Sequence, residues 1–192
     1  LNNQRQGESV EGAAKVPTMS LSKHKSNKSV ISVGPWGGNG GSPWDDGDFK
    51  GIRQIVIVHA GAIDSIRIEY DKNGRSIWSD KHGGNGGDKT DKIVLDYPRE
   101  HLTSMSGHYG SVSVGSACVI RSLTFHSNLR KFGPYGVENG TFFSFPMDGG
   151  KIKGFHGRSG WFLDSIGVHL SHNSQNTFWS TIKGSARNLL RS

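Results

Sequence analysis

A single cysteine, Cys118, stands in a chain of 192 residues. No intramolecular disulfide can form, so the fold rests on a buried core rather than on covalent staples. Cys118 lies in the apolar run Ala117-Cys118-Val119-Ile120 and is expected to be a small buried hydrophobe. Long apolar runs are missing too. None approaches the ~20 residues of a membrane span, and no transmembrane segment is expected. The opening residues hold no apolar signal core. With one cysteine, that leads to an expected location in the cytoplasm or nucleus.

Signatures of catalysis and of cofactor or metal binding are absent as well. There is no G-x-S-x-G elbow, and the lone thiol sits in an apolar run. None of the nine histidines forms a metal-ligand spacing with Cys or acid. His24, His169 and His172 are expected in solvent. Asp45-Asp46-Gly47-Asp48 lacks the twelve-residue calcium pattern and reads as an acidic turn. The stretch from Gly83 to Thr90 resembles a phosphate loop, but Asp88 separates the glycine from Lys89, and a strand follows where a helix is needed. No enzyme, cofactor or metal is expected.

The excess of positive charge, +7 overall, is not spread through the chain. Residues 1–29 carry five Lys/Arg against two acids, and residues 173–192 carry three against none. The middle is close to neutral, with no bulk charge to hold a phosphate backbone, so nucleic acid is not an expected partner. Residues 1–29 are polar and aperiodic and read as a disordered or linker tail. A domain is expected over 30–172. In the basic tail 173–192, Phe178, Trp179, Ile182, Ala186, Leu189 and Leu190 fall near helical spacing. A basic amphipathic helix for a membrane surface or a partner and a frayed tail are both open. Gly184 and the short length favour the tail.

What the chain has in plenty is glycine, 28 residues, about twice the usual ~7 %. The glycines cluster between β-branched runs, which predicts an all-β fold. Gly37-Gly38-Asn39-Gly40-Gly41 recurs letter for letter as Gly83-Gly84-Asn85-Gly86-Gly87, 46 residues on. A looser copy runs from Gly133 to Gly140. Each is followed by a strand-like run and a second loop, which predicts three units about a pseudo-threefold axis. Two of the second loops carry an aspartate at one offset, Asp64 and Asp164. The remaining unit offers Ser111 there. A paired catalytic use of Asp64 and Asp164 is disfavoured, since equivalent residues of threefold-related units lie far apart.

The most telling stretch is Gly157-Arg158-Ser159-Gly160-Trp161-Phe162-Leu163-Asp164-Ser165-Ile166-Gly167. A glycine-led turn exposes backbone N–H donors, and a carboxylate at its end adds acceptors. Donors fixed beside a charged acceptor suit a ligand with adjacent hydroxyls, which is a sugar. Leu163 is expected to point inward and Trp161 to lie at the rim, where an aromatic face meets a sugar's C–H surface.

Together with Val33-Gly34-Pro35-Trp36-Gly37 leading into the first glycine loop, Arg121-Ser122-Leu123-Thr124-Phe125, and Phe132-Gly133-Pro134-Tyr135-Gly136, this stretch resembles the jacalin-related plant lectins over about residues 30–171. The resemblance implies a β-prism I fold of three four-stranded Greek-key sheets. It implies metal-free binding at one end of the prism, with N–H groups of Gly41, Trp161 and Phe162 and both oxygens of Asp164. It implies a second site from Gly61, Ala62, Asp64 and Gly87, weaker here because Ala60 replaces a leading glycine expected at positive φ. The third combination, Ser111 with the Gly140 loop, lacks a carboxylate and should be empty. Galactose-binding members are cut ahead of the glycine matching Gly41. The uncut loop here resembles the mannose/glucose branch, with galactose the alternative if cleavage occurs. A further alternative is a glycan-linked adaptor whose basic tails bind membrane or nucleic acid. A monosaccharide Kd near ~1 mM is expected, so avidity through a homo-oligomer, dimer or tetramer, is also expected.

Overall fold

The computed structural model describes residues 19–22, 30–145 and 150–170. All of its regular structure is strand. The elements are β1 (Met19–Ser22), β2 (Val30–Gly37), β3 (Ser42–Asp45), β4 (Gly51–His59), β5 (Ile63–Lys72), β6 (Arg75–Trp78), β7 (His82–Gly83), β8 (Lys89–Val94), β9 (Leu102–Ser111), β10 (Cys118–Ser127), β11 (Lys131–Gly136), β12 (Thr141–Phe145), β13 (Ile152–Ser159) and β14 (Leu163–Leu170). Among the described residues no helix is long and apolar enough to cross a membrane. The amphipathic pattern of 173–192 lies outside the described residues.

The strands form three antiparallel sheets. Each is built on four strands in one Greek-key plan. The first has the order β2-β14-β13-β3, extended at its edge by β1. The second runs β6-β5-β4-β8, with the short β7 beside β5, and the third runs β11-β10-β9-β12. In every sheet the two inner strands form a hairpin, and the two outer strands are joined by a glycine-bearing loop that crosses over that hairpin's tip. β1 corrects one expectation. Met19–Ser22 lies inside the stretch read as linker, yet it pairs with β2 from Met19 against Val33 to Ser22 against Val30. Met-Ser-Leu-Ser does alternate, but over too few residues to stand out from a polar tail.

Alternation decides which side chains enter the prism. In β4, Ile55 and Ile57 are buried while Val56 and Val58 are half-exposed. Ile93, Leu102, Phe125, Phe155, Leu163 and Val168 join the same interior with no exposed surface. Aromatic contacts tie sheet to sheet. Trp36 stacks on Phe143 at 5.3 Å, and Phe155 meets Phe125 edge-on at 6.1 Å. Full burial of such side chains is worth roughly 1.5–3 kcal/mol each. Cys118 is half-buried rather than interior, because it begins β10 at the loop end of the prism.

Candidate ligand-binding site

In the first sheet, the 38–41 loop crosses the tip of the β13–β14 hairpin. The Gly38 N–H donates to the Asp164 carbonyl at 2.8 Å, which locks the two loops together. Gly41 has φ +56, and a Cβ there would fall 2.6 Å from Asp164 Oδ2; one on Gly40 would fall 2.5 Å from Oδ1. Any side chain at either position would occupy the space over the carboxylate. The hairpin tip is closed by the Gly160 N–H donating to the Phe162 carbonyl at 2.9 Å. Trp161 projects from it, 86 % exposed, with Phe162 half-buried and Leu163 fully buried.

Asp164 itself is only 5 % exposed. Its Oδ2 is buried and accepts no hydrogen bond. Burial pushes its carboxyl above the ordinary range, opposed by the Gly160 N–H and the Arg158 guanidinium. Buried polar atoms are almost always satisfied, so an orphaned carboxylate oxygen calls for an absent partner. The arrangement sets a charged acceptor against the main chain of the 38–41 loop and of the 160–162 tip. That set suits a neutral ligand carrying neighbouring hydroxyls, which donate to the carboxylate and accept from the amides.

The second sheet repeats this plan. The Gly84 N–H donates to the Asp64 carbonyl at 3.0 Å, and the Ala60 N–H to the Ala62 carbonyl at 3.0 Å. Gly87, at φ +88, has its Cβ position 2.9 Å from Asp64 Oδ2. That oxygen is again buried without a partner. Gly61 is exposed and Ala62 buried. Burial first, and then the Asp88 charge, raise the Asp64 carboxyl, with His59 opposing. One expectation about this loop is corrected. Neither Ala60 nor Gly160 has positive φ, so alanine forces no reshaping. What differs is the strand behind the loop. Where β13 carries Arg158 paired with Ser165, β4 carries Val58 paired with Ser65.

The third sheet overturns the assignment of Ser111. Ser106 through Ser111 belong to strand β9, and the hairpin tip is 112–117. The residue that stands where Asp164 and Asp64 stand is Arg121, whose carbonyl receives the Val137 N–H at 2.9 Å just as theirs receive Gly38 and Gly84. A cation has replaced the carboxylate. The Arg121 guanidinium reaches out of its own sheet, donating from Nε to the Gly61 carbonyl at 2.8 Å, and it also bonds the Ser111 carbonyl. The tip folds onto itself, with the Val112 and Ser113 N–H groups both donating to Ser116 Oγ at 3.1 Å.

Several other acids and histidines among the described residues hold the fold together. Asp46 accepts from the Tyr70 hydroxyl at 2.7 Å and pairs with His82 at 2.7 Å. His169, expected in solvent, is 4 % exposed and bridges Ser32 at 2.8 Å and Asp45 at 2.7 Å. Among the described residues no group of three or more His, Cys, Asp or Glu is placed to hold a metal ion. Sequence reasoning missed two contributors, Arg158 and Gly40. The comparison that reveals Arg158 was available in the chain, since the same offset before the second aspartate holds Val58.

A β-prism whose end carries carboxylates under glycine loops defines a sugar-binding class of fold and site. Residues 33–169 match the family described as "Jacalin-like lectin domain", and the chain belongs to that family. It is 59 % identical over 138 residues to jacalin-related lectin 3 of Arabidopsis thaliana, covering 72 % of this chain and 23 % of that protein. It is 57 % identical over 142 residues to jacalin-related lectin 19 of the same plant, covering 74 % of this chain and 81 % of that one. Among solved structures it resembles a mannose-specific jacalin-related lectin from Morus nigra in complex with mannose, with TM-score 0.73 and 46 % identity over 78 % of this chain and 99 % of that one. These relatives are lectins, not enzymes.

Proposed function

We propose that this protein binds glycans through a terminal mannose or glucose residue, without a metal ion, at Asp164, Gly41, Trp161 and Phe162. The observation that carries the reading is the buried, unpartnered Asp164 Oδ2 beneath the glycine loop. Two sugar hydroxyls would satisfy the carboxylate, and their oxygens would accept from the amides. The choice of mannose/glucose over galactose is supported by the continuous loop, with no inserted linker, through Gly37-Gly38-Asn39-Gly40-Gly41 and by the mannose-bound Morus nigra neighbour. Asp64, with Gly61, Ala62 and Gly87, forms a second and weaker site of the same chemistry. A single ring makes few bonds, so the affinity per site is near ~1 mM. Useful retention then comes from several sites, within one chain or across a dimer or tetramer.

The deciding test is retention on immobilised mannose. Asp164→Asn removes the charge at constant shape and is expected to abolish retention with an unchanged circular dichroism spectrum. Calorimetry with methyl α-mannoside should count two sites in the parent and one in Asp64→Ala. Full retention by Asp164→Asn overturns the assignment, and a single site unchanged by Asp64→Ala removes the second.

A further inference from the structure

Arg158 stands on β13 beneath the first glycine loop, and both of its bonds go to that loop's main chain. Its Nε donates to the Gly40 carbonyl at 2.8 Å and its Nη2 to the Gly41 carbonyl at 2.7 Å. The Gly40–Gly41 peptide is not among the cis bonds of the chain. In a trans peptide the C=O of one residue and the N–H of the next lie in one plane and point in opposite directions. A donor that grips the Gly40 carbonyl therefore sets the direction of the Gly41 N–H, turning it away from β13. Hydrogen bonding to the carbonyl also polarises the amide, which strengthens that N–H as a donor.

The second loop pair supplies an internal control. Its glycine loop has the same letters, and its aspartate has the same burial and the same orphaned oxygen. At the position of Arg158 it has Val58, whose Cγ1 lies 2.7 Å from the Cβ position of Gly87. Among the described residues no side chain donates to the carbonyls of Gly86 or Gly87. No side-chain donor holds the peptide plane that aims the Gly87 N–H, where its counterpart is gripped by Arg158 Nε. Arg121 bonds the Gly61 carbonyl in the other loop of the second pair.

We propose that Arg158 is the positioning residue of the first site: it fixes the Gly40–Gly41 peptide so that the Gly41 N–H meets the sugar, and Val58 at the equivalent place makes the second site the weaker of the two. This rests on the sugar-site reading above. It assigns the difference between the sites to one residue behind the loop, not to the loop sequence or to Ala60.

The test reads each site separately in the intact chain. In amide NMR titrations with methyl α-mannoside, the Gly41 resonance reports the first site and the Gly87 resonance the second. Arg158→Met keeps the stem of the side chain and removes the donors. It should weaken binding at Gly41 about tenfold, because a peptide no longer held in place must be ordered when the sugar binds, with binding at Gly87 unchanged. Arg158→Lys keeps the charge without the planar fork and should recover only part of the loss. Val58→Arg should tighten binding at Gly87 severalfold. Parental affinity at Gly41 in Arg158→Met overturns the proposal, as does complete recovery in Arg158→Lys, which would make the effect one of charge. Weakening at both glycines with a falling melting temperature would reduce Arg158 to a structural role. If the parent shows no shift at Gly41 in tens of millimolar mannoside, the sugar-site reading itself fails, and this one with it. Should Val58→Arg not fold, the two Arg158 variants still decide.

Discussion

Burial holds the Asp164 carboxyl above the ordinary carboxylate range even though the Arg158 guanidinium and the Gly160 N–H pull the other way. The unfolded chain therefore gives up this proton more readily than the folded one. The group's contribution to stability is fully present below the unfolded value of 3.8 and is lost as the pH rises through the higher folded value. At neutral pH the ionised carboxylate is a liability to the fold. Asp164→Asn is expected to raise the melting temperature at pH 7 and to leave it unchanged near pH 3. Thermal scans at the two pH values check this. Because the ionised form is the acceptor, sugar retention should fail on acidification at a higher pH than an ordinary exposed aspartate would dictate. At this scale Asp164 was legible because a glycine and a carboxylate sat at a repeated offset. Arg158 was in full view and unread, since its role is fixed by a crossing loop more than a hundred residues away in sequence. Ala60 leaves the second loop unstrained, because the glycine that leads the first loop's tip, Gly160, has no positive φ either.

The loop that crosses the hairpin tip explains why its letters are so restricted. Gly40 and Gly41 lie against the carboxylate, and a side chain at either would fill the space the proposed sugar would enter. Gly40→Ala places a methyl 2.5 Å from Asp164 Oδ1. It is expected to remove mannose binding by more than about tenfold through displacement of the loop. The strand content should stay intact, as read by a mannose column and far-ultraviolet circular dichroism. The first two units were legible as elements because their glycine loops are identical and their hairpin tips, 60–62 and 160–162, are equal in length. The third was not. Its tip runs over 112–117, so counting forward from the glycine loop landed on Ser111, inside β9, when the equivalent residue is Arg121. A longer tip leaves no trace in periodicity, and only strand pairing exposes it.

Across the whole molecule, the prism is joined by contacts between segments remote in sequence. His169 meets Ser32 across 137 positions and Asp45 across 124, and no spacing rule reaches that far. Beside it His156 has a buried Nε2 that takes no partner, and burial pushes its pKa down to about 4 from 6.5, with neighbouring His169 adding to the effect. The unfolded chain accepts this proton below pH 6.5 while the folded chain refuses it until about pH 4. The contribution of neutral His156 is thus fully present above 6.5 and lost as the pH falls to 4, by up to roughly 3 kcal/mol. His156→Phe should flatten the decline in melting temperature between pH 6.5 and 4. Glu100, held down to about 2 from 4.5 chiefly by Arg130, governs a lower window and should leave its decline in place.

The Cβ position of Gly84 lies 3.2 Å from Trp161 Cα, so the glycine loop of the second sheet runs directly along the hairpin tip of the first. If both proposed sites bind sugar, they share a wall and open toward the same side of the molecule. One protomer would then grasp neighbouring arms of a single branched chain, as a clasp does, and would need a second copy turned the other way to join two opposed surfaces.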